Sequence, residues 1–280
     1  AASILAGCFP GPTVMDAIET NKVVQRVKSH SVRLKIHSIP ESEIRHFVIS
    51  DAAFDPSGRT KPQHGWIQGM TNRDLSRGLE APVSLISWRS RRLRRKAGST
   101  MLCESISLST ALGALEKQIA FWDSIRLSRY DVRKQHEDKD DLGLRGEPTV
   151  VASDDSLHSD PLSLAIVDAK SVFDASATEQ ATGEDDRSAL EIAIIQDSLT
   201  RCQGRVRWVP HNKNPSDMLT KLNGAHEVPM MQLLRSSTFR IQDEEATLAE
   251  GRQGDHRQKS KYGPQILSGA DISRNSMSHI

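Results

Sequence analysis

Hydrophobic positions along the chain fall into runs of two different periods. From Val14 to Val27 they recur at helical spacing behind the breaker Pro10-Gly11-Pro12, which predicts a helix. Val32-Arg-Leu-Lys-Ile-His37 alternates and reads as a short strand. Phe47-Val-Ile-Ser-Asp-Ala-Ala-Phe54 is an apolar run interrupted by a carboxylate, followed by a turn signal at Asp55-Pro-Ser-Gly58. Gly65–Met70 and Val83–Trp88 are two further strand patterns, and with the 47–54 run they predict an antiparallel meander.

The period then changes. Behind Gly98-Ser-Thr100, where Ser99 or Thr100 can cap, apolar residues from Leu102 to Ile125 predict one long amphipathic helix with Glu104 near its start. Residues 131–160 lose all period and read as a loop or inserted polar linker. Leu162–Val167 reads as a short buried strand ending at Asp168, and Lys170–Ala177 as a short helix. Ser188–Arg201 is a second amphipathic helix, closed by Gly204 at the position after its cap. Arg205–Val209 reads as the last strand, and Asp217–Leu222 as a short helix behind Asn214-Pro-Ser. Beyond about residue 245 the chain turns to Gly, Gln, Ser, Arg and Lys without period and reads as tail. The order predicts an α/β fold: a mixed five-stranded sheet flanked by helices.

Composition narrows the class. Of 280 residues only 37% are hydrophobic, so part of the chain is expected to lie outside any core. No run approaches the length of a membrane span. Cys8, Cys103 and Cys202 are too few and too scattered for a disulfide framework or a cysteine-rich zinc module, and a reducing, intracellular compartment is the simpler reading. Phosphate-loop and dinucleotide glycine patterns are missing, as are zinc-protease helices. The formal net charge is only +1, yet Arg89, Arg91, Arg92, Arg94, Arg95 and Lys96 form a local basic stripe, which points to a defined polyanion contact. The chain opens Ala-Ala-Ser with neither an initiator Met nor a leader pattern, and reads as a piece of a longer polypeptide.

Four carboxylates stand where a sheet edge can gather them: Asp51 late in the first strand, Glu104 early in the long helix, Asp168 at the end of the fourth strand and Asp217 at the start of a late helix. Convergent acids repel one another unless cations neutralise them. Hard divalent ions with oxygen ligands do so, and two of them can drive phosphodiester hydrolysis. Each acid also has a plainer reading. Asp51 alone is a strand-end acid, Glu104 and Asp217 are helix-start acids that favour the dipole, and Asp174 is a decoy on a solvated helix face. The arginine stripe alone is a solvated run or a localisation signal. Trp66 and Trp88 read as core anchors rather than base-stacking platforms.

The motifs carry a family resemblance. Phe47–Phe54 resembles the first catalytic strand of the RNase H domain in copia-type retrotransposon polyproteins, and Leu85-Ile-Ser-Trp-Arg-Ser-Arg-Arg92 its third strand with a basic extension. Gly98-Ser-Thr-Met-Leu-Cys-Glu-Ser-Ile-Ser-Leu108 is similar to the family's ST-x-x-E helix, and Ala165-Ile-Val-Asp-Ala-Lys-Ser-Val172 to its x-x-D-N-x-S-A segment. Arg207-Trp-Val-Pro-His-Asn-Lys-Asn-Pro-Ser-Asp-Met-Leu-Thr-Lys221 resembles the closing V-P-x…A-D-x-L-T-K motif, the most specific of the set. Departures are Ala169 in place of Asn, Cys103 and Ser105 around Glu104, and a long insert at 131–160.

The resemblance implies an RNase H-like fold and two Mg²⁺ ions, or Mn²⁺, held by Asp51, Glu104, Asp168 and Asp217. It adds His211 as a loop histidine near the scissile phosphate. Residues 1–45 would be a connection from reverse transcriptase, 46–225 the RNase H-like domain and 226–280 a C-terminal extension. The activity implied is cleavage of the RNA strand of RNA–DNA hybrids during reverse transcription, beside the polyprotein's reverse transcriptase, in a cytoplasmic retroelement particle or the nucleus. Two alternatives stand beside it: an inactive or repurposed retroelement fragment that binds nucleic acid without catalysis, and another nuclease or integrase on the same sheet.

Overall fold

A computed structural model of the protein describes Leu5 and residues 11–29, 32–54, 62–127, 160–177, 186–221 and 224–242. The expectations for the turn at 55–58, for almost all of the insert at 131–160 and for the tail beyond 245 lie outside the described residues.

The meander forms as the alternation requires. β1 (Arg45–Ala53) pairs antiparallel with β2 (Gln63–Thr71), and β2 with β3 (Ala81–Arg92). On its other side β1 runs parallel to β4 (Ser163–Val167), which runs parallel to β5 (Gly204–Trp208). Thr238–Phe239, β6, pairs with the first two residues of β3, so the order is β5-β4-β1-β2-β3-β6. Six helices accompany the sheet among the described residues: α1 (Val14–Ser29), α2 (Thr100–Arg126), α3 (Lys170–Ala177), α4 (Asp186–Cys202), α5 (Asp217–Thr220) and α6 (Glu227–Ser236).

Both faces of the sheet are covered, and this explains why β1 and β4 read as unbroken apolar runs rather than alternating ones. Val48, Trp66, Ala165, Val167 and Val206 point to the side packed by Leu108, Leu112 and Leu115 of α2 and by Ile192 and Ile195 of α4. Their neighbours Phe47, Ile49, Ile67, Leu164 and Ile166 point to the opposite side, packed by Val209, by Met230 and Leu233 of α6, and by Ile241. A third cluster of Ala52, Leu93, Leu102, Cys103 and Ile106 anchors the start of α2 to the end of β1.

The expected mixed α/β sheet is present with six strands, not five. β6 escaped the pattern because a two-residue strand carries no period. Val32–His37 is not a strand: Val32, Leu34 and Ile36 are all exposed, and alternation without a covering face has nothing to bury. The left-handed residue that ends α4 is Gln203, at φ 47°, while Gly204 already belongs to β5. Trp66 is a core residue, but Trp88 is 56% exposed and anchors nothing. α1 forms where expected and buries none of its residues. Among the described residues no helix is long and apolar enough to cross a membrane.

Candidate active site

Register places two of the acids side by side. β1 and β4 pair in parallel with Ile49 opposite Ile166, so two residues further on Asp51 of β1 meets Asp168, just past β4. Trp208 Nε1 donates to the Asp168 carbonyl at 2.9 Å and Val209 N to the Val167 carbonyl at 2.9 Å, which fixes the backbone at that strand end. The third acid arrives on α2. Ser99 caps that helix by accepting from Leu102 N at 3.1 Å, and Ser107 Oγ donates to the Asp51 carbonyl at 2.9 Å. Glu104, one turn earlier, is thereby held against the same strand end. Carboxylate oxygens of Asp51, Glu104 and Asp168 all lie within 4.8 Å of one another.

The fourth acid comes from below the meander. Asn214 Nδ2 donates to the Ser50 carbonyl at 3.3 Å, while its Oδ1 accepts from Ser216 N and Oγ. This ties the start of α5 to β1. Ser90 Oγ of β3 donates to the Leu219 carbonyl at 2.5 Å, and Thr220 Oγ1 donates to Asp51 Oδ2. Asp217 is thus brought beside the other three but turned towards cations. Its Oδ2 lies 3.0 Å from Lys221 Nζ, 3.3 Å from His211 Nε2 and 3.5 Å from His226 Nδ1. Lys221 Nζ is also 3.8 Å from Asp51 Oδ1. His211, on the rim, places Nδ1 2.6 Å from Asp168 Oδ2.

Electrostatics follow from the crowding. Burial, then the charges of Asp168 and Asp217, push the Asp51 carboxyl well above the usual range, and Lys221 and Thr220 offset only part of this. Burial, then Asp51 and Asp168, do the same to Glu104. Asp168 is raised mainly by burial, against the pull of His211. Cys103, beside Glu104, is a buried thiol pushed up to about 12 and therefore inert. Asp51, Glu104 and Asp168, with Lys221 and His211, line a cavity of about 430 Å³, and Thr100 and Met101 close one side. An oxygen-only donor set, short of compensating charge and open to a cavity, fits hard divalent cations.

The basic stripe divides. Arg91 Nε donates to His64 Nε2 at 2.9 Å, and burial and the flanking arginines bring His64 down to about 4, so its ring is a neutral acceptor. Arg95 pairs with the buried Glu191 of α4, which also accepts from Ser109 Oγ at 2.7 Å. Arg89, Arg94 and Lys96 are exposed, and the stretch from Leu93 to Ser99 leads straight into the cavity wall at Thr100. Asp174, the decoy, pairs with Lys170 at 2.6 Å on an exposed helix face.

Lys221, Thr220 and His226 did not come out of sequence reasoning as site residues. Lys221 carried a signal, since it stands four residues after Asp217 and ends the closing motif. His226 carried none.

No protein-family model and no curated protein sequence matches the chain. Among solved structures it is similar to RNase H1 from the archaeon Halobacterium salinarum, with 14% identity over 62% of this chain and 93% of that one, at a TM-score of 0.38. It is similar to the N-terminal RNase H domain of a Mycobacterium tuberculosis protein, with 12% identity, 68% and 98% coverage and a TM-score of 0.35. The prototype foamy virus RNase H domain follows at 10% identity, 70% and 93% coverage and a TM-score of 0.31. At these TM-scores the likenesses are loose. The fold itself is a mixed α/β sheet of six strands flanked by helices.

Proposed function

We propose that the protein is a metal-dependent endoribonuclease that cuts the RNA strand of RNA–DNA hybrids. The observation that carries this reading is the meeting of Asp51, Glu104 and Asp168, from β1, α2 and the end of β4, with Asp217 beside them. Residues so far apart in sequence gather buried charge at a cost that only a cation-dependent task explains well.

Asp51, Glu104, Asp168 and Asp217 would hold two Mg²⁺ ions, with Mn²⁺ as a substitute. Bound there, such ions would activate a water and neutralise charge on the leaving 3′ oxygen. The chain's own groups do the rest. Thr220 keeps Asp51 oriented by donating to its Oδ2. Asp168 holds His211 on the rim so that its Nε2 can take or return a proton at the scissile phosphate. Arg89, Arg92, Arg94 and Lys96 would grip backbone phosphates, with Arg91 and Arg95 serving that surface from their ties to His64 and Glu191. Selection for RNA would rest on 2′-hydroxyls and duplex shape.

The order of the sequence motifs supports a copia-type retrotransposon origin. In that setting residues 1–45 connect to reverse transcriptase, 46–225 form the nuclease and 226–280 extend it, within a polyprotein acting in a retroelement particle or the nucleus. The test is hybrid cleavage with Mg²⁺ or Mn²⁺ and an EDTA control. Asp51→Asn and Asp168→Asn should abolish turnover while circular dichroism stays unchanged. Variants that cut as fast as the parent would refute the assignment.

A second reading has one observation in its favour: the Lys221 ammonium sits among the acids where a cation is needed. A retroelement remnant that binds nucleic acid and no longer cuts would show hybrid binding, a steep salt dependence and no turnover at any Mg²⁺ concentration.

A further inference from the structure

We infer that His211, Asp217 and His226 form a transition-metal site, one that takes Zn²⁺ beside the all-oxygen centre. The inference stands on its own observations and does not need the nuclease reading; Zn²⁺ bound here would occupy His211 Nε2 and compete for Asp217, and so take both out of the roles proposed above.

Three ligand atoms face one point. Asp217 Oδ2 lies 3.3 Å from His211 Nε2 and 3.5 Å from His226 Nδ1, and all three atoms are within 4.8 Å of one another. Ligands about 2.1 Å from a tetrahedral zinc stand about 3.4 Å apart, so both distances match an edge of the tetrahedron. The two imidazole rings meet edge to face, with centroids 6.1 Å apart and planes at 67°, as two rings converging on one atom do.

The second observation concerns the orientation of the His211 ring. His211 Nδ1 faces Asp168 Oδ2 at 2.6 Å and its Nε2 faces the Lys221 ammonium at 3.3 Å. The Asp168 carboxylate can only accept, so Nδ1 is the donor of that contact, while Nε2 is turned to the Lys221 ammonium and, at 3.3 Å, to the Asp217 carboxylate. That is the carboxylate–histidine arrangement that orients a ligand for a metal.

The third observation is an orphan. Asp217 is 2% exposed at its side chain, yet its Oδ1 has no hydrogen-bond partner. His226 stands at the N-cap of α6 without capping it, so its ring is not committed to the helix. Two imidazoles and one carboxylate are a borderline-soft set, which favours Zn²⁺ over Mg²⁺. The fourth position faces Lys221, whose Nζ is 3.0 Å from Asp217 Oδ2. The ammonium therefore competes with the metal, and zinc enters as the lysine swings out.

The experiment is Zn²⁺ titration of the full chain by calorimetry, with Co²⁺ as optical probe. The parent should bind one equivalent of Zn²⁺, and Co²⁺ should give the visible bands of a tetrahedral site. His226→Ala, and independently His226→Asn, should weaken Zn²⁺ by about 100-fold, since losing a ligand costs at least as much as losing an outer partner. Glu104→Gln should retain the parent affinity, because Glu104 belongs only to the all-oxygen centre. Lys221→Met should bind Zn²⁺ at least as tightly as the parent. Equal affinity in the parent and both His226 variants would overturn the site. So would loss of Zn²⁺ in Glu104→Gln, which would move the ion to the acids. Hybrid cleavage plays no part in these readouts, so a failed nuclease assay leaves them intact.

Discussion

Lys221 is an internal counter-ion. Its ammonium reaches Asp217 and Asp51 at 3.0 and 3.8 Å and lowers the pKa of both Asp51 and Glu104, but not enough to cancel burial and mutual repulsion. The sign for stability follows. Because the folded-state carboxyls titrate above their unfolded values, the folded chain holds protons that the unfolded chain has released. Stability of the metal-free protein must then fall as pH rises from about 4, through the raised pKa values, and level off beyond them. Thermal melts in EDTA between about pH 5 and about pH 8 should show this decline, and Mg²⁺ should reverse it. Asp51→Asn should flatten the profile and raise the metal-free melting temperature near neutral pH by at least about 2 °C. A melting temperature independent of pH would contradict the crowding. At this scale the acids were legible, because each ends an apolar run or opens a helix. Lys221 carried only its four-residue spacing from Asp217, and His226 carried nothing: its significance is the distance to Asp217, and nothing in a linear pattern measures that distance.

α2 carries the site because it is bound to the sheet along its length. Leu112, fully buried between α2 and the sheet, should cost about 2–5 kcal/mol when replaced by Ala, read by urea denaturation. α5 is held differently, by close approach. A Cβ on Gly65 of β2 would come within 2.5 Å of Leu219 Cβ and 3.3 Å of Thr220 Cγ2. Gly65→Ala should therefore push α5 off the meander, taking Thr220 and Asp217 with it. The expected result is a loss of divalent-ion affinity larger than the loss of stability, measured by titration and melting side by side. The link between the basic stretch and α4 depends on charge. Removing Arg95 leaves Glu191, 3% exposed at its side chain, with Ser109 alone among the described side-chain partners. Half-exposed as the arginine is, Arg95→Ala should still cost about 1–3 kcal/mol. The long elements were readable from period, α2 nearly to the residue, with its cap at Ser99. Val32–His37 misled because alternation reports a pattern, whereas a strand also needs a partner and a face to cover. Trp88 misled because it stands beyond the covered part of β3, where the same face is open to solvent.

Across the whole molecule the sheet brings together segments that local pattern cannot join. Strand identity was legible, but strand order was not. β1 sits between β2 and β4, and its parallel partner begins more than a hundred residues later in the chain. The charge pattern also acts at this scale. If the exposed cations Arg89, Arg94 and Lys96 meet phosphates together, replacing each by Ala should reduce the salt slope of hybrid binding by about 1 without changing sequence preference. An unchanged slope would remove that surface from the interface. The closing strand β6 has a further effect. Ile241, two residues after it, is fully buried in the same cluster as Phe47 and Leu75, and Arg240 Nε donates to the Gly78 carbonyl at 3.1 Å. The core begun by the first strand is therefore sealed by a residue near position 240, so a nascent chain still threaded in the ribosome tunnel exposes that seam to solvent, chaperones and neighbouring polypeptides until the last of these side chains emerges.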